Sequence, residues 1–264
     1  MYEATLSNKS IGVAYPLRTY QYWDCISILG VEPVAATINT AVSAGIDGTR
    51  FNSARLNERN IVITLVLKGD IPAGRQLLET QFSPKSLVTM RYTTDNRDVA
   101  IDGYVETFEC DLHSVPETAQ LSIICPDPYF HKATASEITL GRDSPGNSLG
   151  FTSTIETGLE IEATFNGAAS SITITNYYPN QKIKVTHAFQ SGDKLYINTT
   201  RGKKCVLLTQ NNVTTNIFPS VDPDSVFITA YSGATTYYYT DTGVLTNSNH
   251  PTVKLRAYEL FTGV

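Results

Sequence analysis

Apolar side chains recur at every second position through much of this chain, the period of a strand with one face buried. In Ile61-Val-Ile-Thr-Leu-Val-Leu67 the alternating set is Ile61, Ile63, Leu65 and Leu67, and turn residues flank it on both sides (Arg59-Asn60 before, Lys68-Gly69-Asp70 after), which predicts a core strand. Upstream, Tyr20–Ile28 and the Asp47-Gly48 turn predict further pairing. One helix is predicted over Pro72–Phe82, with proline in its first turn and Leu78 and Phe82 four apart on one side. A hairpin follows: Leu87–Tyr92, the polar turn Thr94–Asp98, then Val99–Val105. It reads as polar at its tip and joined to the core only at its base. Phe108 to Leu112 and Leu121 to Cys125 complete the strands of this half.

Residues 134–150 lose the period. They are rich in Ser, Gly, Thr and Pro, with "GRDSPGNSLG" at 141–150, and predict a linker. Strict alternation then returns in Gly158–Phe165, Ser171–Asn176, Lys182–Thr186 and Lys194–Thr199, and later in Lys204–Leu208, Val226–Thr229, Thr235–Tyr239 and Val253–Tyr258. Short, regular strands with no helix between them predict an antiparallel sandwich. The fold class is therefore mainly β, with domains over residues 1–133 and 151–264.

Composition fits this reading: 15 Tyr, 12 Pro and 17 Gly favour strands and turns, and 264 residues suffice for two cores. Net charge is −5, and neither half shows the basic stripe of a nucleic-acid or anionic-membrane binder. No apolar run approaches the roughly 18 residues of a membrane helix and no signal-type segment opens the chain, so folding in a cytoplasm and no membrane insertion are expected. Cys25, Cys110, Cys125 and Cys205 lack CxxC spacing and read as free thiols, with a Cys110–Cys125 bridge as the alternative.

Candidate chemistry is sparse. His113, His131, His187 and His250 are scattered without metal-ligand spacing, and there is no GxSxG elbow, P-loop or dinucleotide turn. Glu106 with Glu109, and Asp222 with Asp224, would act as acid–base pairs only across a shared cleft, and "VDPDS" reads as a turn. No catalytic, cofactor-binding or metal-ligating residue is assigned, and no cofactor is expected. In the run Tyr237-Tyr-Tyr239 alternate rings must face opposite sides of a strand, which favours core and rim over a binding platform.

One stretch does ask for a role. "ICPDPYF" (124–130) ends a strand abruptly, because Pro126 and Pro128 cannot donate to a ladder and hold their predecessors extended. The order of elements, with "GYVE" at 103–106, "ICPDPYF" at 124–130, "SGDKLYINTTRGKKCVLL" at 191–208 and the final "YELFTGV", resembles the distal tail protein family of long, non-contractile bacteriophage tails. That resemblance implies a structural, non-enzymatic virion protein assembled in the bacterial host. It implies a β-rich ring domain with one short helix and a hairpin, followed by a galectin-like sandwich. It further implies a homohexameric ring around a channel that DNA only passes through, joined to the tail tube protein on one face and a tail-associated tip protein on the other, and in many members to receptor-binding proteins. Pro126, Pro128, Tyr129 and Phe130 become the candidate brace between the domains, and Met90 and Tyr92 the candidate ring interface. The alternative is a lectin-like adhesion protein whose second domain binds a cell-surface glycan.

Overall fold

A computed structural model of the chain describes residues 2–264 apart from 112, 114, 144 and 243–248. The chain divides into two compact units, Met1–Ala133 with Phe261–Val264, and Thr134–Leu260. The last four residues thus belong to the first unit, where Phe261 enters the core.

The first unit contains β1 (Glu3–Asn8), β2 (Ala14–Pro16), β3 (Thr19–Tyr20), β4 (Trp23–Leu29), β5 (Ala36–Val42), β6 (Thr49–Leu56), β7 (Arg59–Leu67), α1 (Ile71–Gln81), β8 (Leu87–Thr93), β9 (Asp98–Asp111), β10 (Thr118–Cys125) and β11 (Phe130–Lys132). Leu112, expected to end β9, lies outside the described residues. Eight strands form an antiparallel sheet in the order β2-β1-β8-β9-β10-β7-β4-β3, with β11 added along β9. Its two edge strands are neighbours in sequence, and Tyr15 on β2 meets Tyr20 on β3 edge to face at 5.8 Å, so the sheet curls back on its own apolar face. Ile61, Ile63, Leu65 and Leu67 of β7 point into that core with Trp23, Val88 and Ile101. Helix α1 begins where the Asp70 carboxylate accepts from Ala73 N at 3.1 Å, and it buries Leu78, with Phe82 at its C-terminal end.

The hairpin β8–β9 does not project. β8 lies between β1 and β9, with Leu6 opposite Met90 and Met90 opposite Ile101. Met90 is 1% exposed and belongs to the core, which corrects its expected place at a ring interface; Tyr92 is half-buried, stacked on Tyr2 at 5.5 Å. The reason is β1, a strand of the first eight residues whose pairing with β8 the sequence reading left out. Met90→Ala is expected to lower the stability of the first unit by about 2–5 kcal/mol in urea unfolding.

In the second unit the strands are β12 (Ser136–Thr139), β13 (Gly141–Arg142), β14 (Asn147–Phe151), β15 (Thr157–Gly158), β16 (Glu160–Thr164), β17 (Ala169–Asn176), β18 (Lys182–Phe189), β19 (Lys194–Asn198), β20 (Cys205–Gln210), β21 (Val213–Asn216), β22 (Thr229–Ala230), β23 (Gly233–Asp241) and β24 (Thr252–Ala257). Two sheets, β12-β24-β16-β19-β20-β21 and β13-β23-β17-β18 with β14 on β23, bury Ile161, Ile197, Val206 and Leu255 against Ile172, Ile174, Val185 and Tyr237. This is the sandwich that the alternation predicts. Tyr237 and Tyr239 point inward and Tyr238 does not. Residues 134–150 are not a linker: β12 pairs with β24 and β14 with β23, while Leu140 and Leu149 are buried. Pairing there is a backbone matter, so a polar composition does not prevent it.

Candidate assembly site

Strands β5 and β6 pair only with each other among the described residues. The turn between them contains Gly45 and Gly48, both at positive φ (+79° and +92°), which suits glycine. Cross-strand bonds from Asn39 Nδ2 to Ser53 Oγ (3.0 Å) and from Asn57 Nδ2 to Thr37 Oγ1 (2.8 Å) help to hold the register. Both faces lie open: Ile38 is 62% exposed, Val42 83%, Ile46 72% and Phe51 61%. A lone two-stranded hairpin is marginal in water, and exposed apolar side chains beside unpaired strand edges mark it as a candidate contact surface.

The root of this hairpin is rigid. Gly30 takes φ +84°, and a Cβ there would sit 2.0 Å from the Asn60 carbonyl oxygen, so only glycine fits the turn from β4. Arg59, at the other root, is 1% exposed and makes no ion pair among the described residues. Its guanidinium donates to four backbone carbonyls: Gly30, Glu32 (2.7 Å), Pro128 (Nε, 2.9 Å) and Thr262 (Nη2, 2.5 Å), and its Cζ lies 4.7 Å from the Phe130 ring centroid. Burial pulls its pKa below the ordinary guanidinium value. Hydrogen bonds in a planar fork let the desolvated charge persist.

Three segments meet at that cation: the hairpin root, the "PDPYF" exit and the returning Phe261–Val264. The last is also held by Val264 N on Val31 O (3.1 Å) and by Arg97, which donates to Gly263 O (2.6 Å) and lies over Phe261. Phe130 is fully buried in the core of the first unit, and Asp127 Oδ1 accepts from Tyr129 N (3.2 Å). Pro126 and Pro128 end β10, and Phe130 starts β11. Sequence reasoning placed Arg59 in a turn before the strand, whereas it begins β7, and missed its role, since carbonyl partners leave no side-chain signal.

Among the described residues the acidic and histidine candidates are held in local contacts. Glu106 accepts from Ser122 Oγ (2.9 Å), Asp222 accepts from Asp224 N in a turn (3.0 Å), and His250 Nδ1 lies 3.1 Å from Asp241 Oδ2, which also pairs with Arg142. Among the described residues no three His, Cys, Asp or Glu are grouped as a metal site. All four cysteines are free thiols, so the Cys110–Cys125 bridge is absent: Cys110 faces Ala119, and Cys125 faces Arg59. Burial pushes the Cys125 thiol up to about 12. Cys125 is therefore expected to resist iodoacetamide at pH 8 in the native chain and to react only after unfolding, as mass spectrometry of the alkylated peptides would read.

Residues 152–253 match the family described as siphovirus-type tail component, C-terminal domain. Across both units the fold is similar to SPP1 Dit, described as a paradigm of the hub adsorption apparatus in phages infecting Gram-positive hosts. The TM-score is 0.70 at 14% identity, covering 99% of each chain. A chain of the phage P2 baseplate in its activated conformation with Ca is similar at a TM-score of 0.53 and 12% identity, and that of the Sr form at 0.50 and 11%, each with full coverage of both chains. No curated protein matches the chain. The family match across most of the second unit marks residues 152–253 as similar to a siphovirus-type tail component domain, and the likeness of fold along the whole chain accords with the distal tail protein resemblance.

Proposed function

We propose that six copies of this chain close into a ring that forms the hub at the distal end of a phage tail, joining the tail tube to the tip apparatus. The observation that carries the proposal is the apolar hairpin β5–β6, which has no partner strand in its own chain among the described residues. A closed ring needs each subunit to present two different, complementary faces. The hairpin, which carries Arg50 and Arg55 against Asp47, is one. The other is the solvent face of the first sheet, where Ile26 and Leu29 on β4 and Tyr104 on β9 are exposed beside Glu106 and Glu109. Outside the hairpin the first unit has nine basic and fourteen acidic residues, so the charges attract, and a channel wall of that sign would let DNA pass without binding it. Within this reading Pro126–Phe130 steers the chain from β10 into β11 inside the ring domain, which the chain leaves after Ala133.

Electron microscopy of tails carrying this chain with a bulky tag in the loop Asn211–Asn212 tests the placement. Extra density confined to the distal end is expected. Density distributed along the tube, or at the head-proximal end, would contradict the proposal.

A further inference from the structure

Of the six large apolar or aromatic side chains that the described part of the second unit leaves exposed, four lie on two neighbouring segments: Tyr177 and Tyr178 in the loop before β18, and Phe218 and Val226 in the stretch between β21 and β22. The segments are fastened together. Val226 N donates to Lys182 O (2.8 Å), Thr229 N to Gln181 Oε1 (3.1 Å), Asn176 Nδ2 to Thr229 O (3.1 Å), and Gln181 Nε2 to Tyr231 Oη (3.2 Å). Phe218 stacks with Phe227 at 5.9 Å, and Lys204 Nζ stands 4.9 Å over the Phe227 ring.

Basic residues gather on the segments next to these rings. Lys182, Lys184, Arg201, Lys203 and Lys204 come from β18 and the β19–β20 turn, against Asp222 (paired with Lys184 at 3.7 Å), Asp224 and Glu156. The rest of the second unit has four basic and seven acidic residues, so the positive charge gathers where the exposed aromatics are. The sequence showed no basic stripe because two separate segments supply it.

We propose that this surface docks an acidic peptide segment of another tail protein. The proposal rests on the chain being a tail hub. Exposed Tyr and Phe on a hydrogen-bonded frame give contact area at little ordering cost, and lysines at the rim select carboxylates. A nucleic acid is disfavoured because three carboxylates interrupt the cations.

The test uses whole tails assembled with the full-length chain bearing the photo-cross-linker p-benzoylphenylalanine in place of Tyr178 or Phe218. The expected result is a cross-link to one other virion protein, within a peptide rich in Asp and Glu. Its yield should fall at least fivefold when Lys203→Glu and Lys204→Glu are combined, with the chain still incorporated. The same probe at Val213, exposed at the far end of β21, should give no such product. A chain present in the tail without a cross-link, or one cross-linked to another copy of itself, to DNA or to a glycan, would overturn the docking surface and leave the hub intact. Absence of the chain from tails would remove both.

Discussion

Arg59→Met is expected to cost the first unit about 3–5 kcal/mol, because the thioether removes the buried donor that the carbonyls of Gly30, Glu32, Pro128 and Thr262 share. Arg59→Lys should recover only part of the loss, since one ammonium cannot span a planar arrangement of four acceptors. Urea unfolding followed by the fluorescence of Trp23, the sole tryptophan and fully buried in this unit, reads the effect directly. Amide exchange should rise together in residues 30–33, 128–132 and 261–264, the three segments the cation joins. A loss below about 1 kcal/mol, or exchange that rises in one segment alone, would show the guanidinium to be incidental to that junction.

Ile38→Asp combined with Phe51→Asp is expected to abolish ring formation while leaving the circular dichroism of the chain unchanged. Both side chains are more than half exposed and belong to neither core, so the isolated chain tolerates the charges; at a covered contact each unpaired carboxylate costs several kcal/mol. Met90→Asp offers the contrast. It places the same charge in the core and should unfold the first unit, so loss of assembly there would come with loss of structure.

What the sequence made legible is what has one wet and one dry face. The alternation in β7, β16, β17 and β19 predicts strands that do bury Ile61, Ile161, Ile172 and Leu195, and Leu78 with Phe82 marks the inner side of α1 and its end. The hairpin β5–β6 escaped because both its faces are exposed and its side chains have no period to read; only Asp47-Gly48 pointed to it. The edge strands β12–β14 escaped for a related reason, each contributing few buried positions to a sheet held by backbone bonds. The return of Phe261–Val264 to the first unit is a long-range contact, and local pattern carries no trace of it. "ICPDPYF" drew notice through its prolines, yet the residue that explains its geometry, Arg59, binds main-chain oxygens that every residue possesses.

The mass of the purified chain in solution, measured by light scattering at micromolar concentration, tests the central claim most directly. A ring of six 28.9 kDa chains predicts a single species of about 173 kDa that falls to 28.9 kDa in the Ile38→Asp, Phe51→Asp variant. A wild-type chain that stays monomeric at every concentration, or a variant that still assembles, would contradict a ring closed by this hairpin.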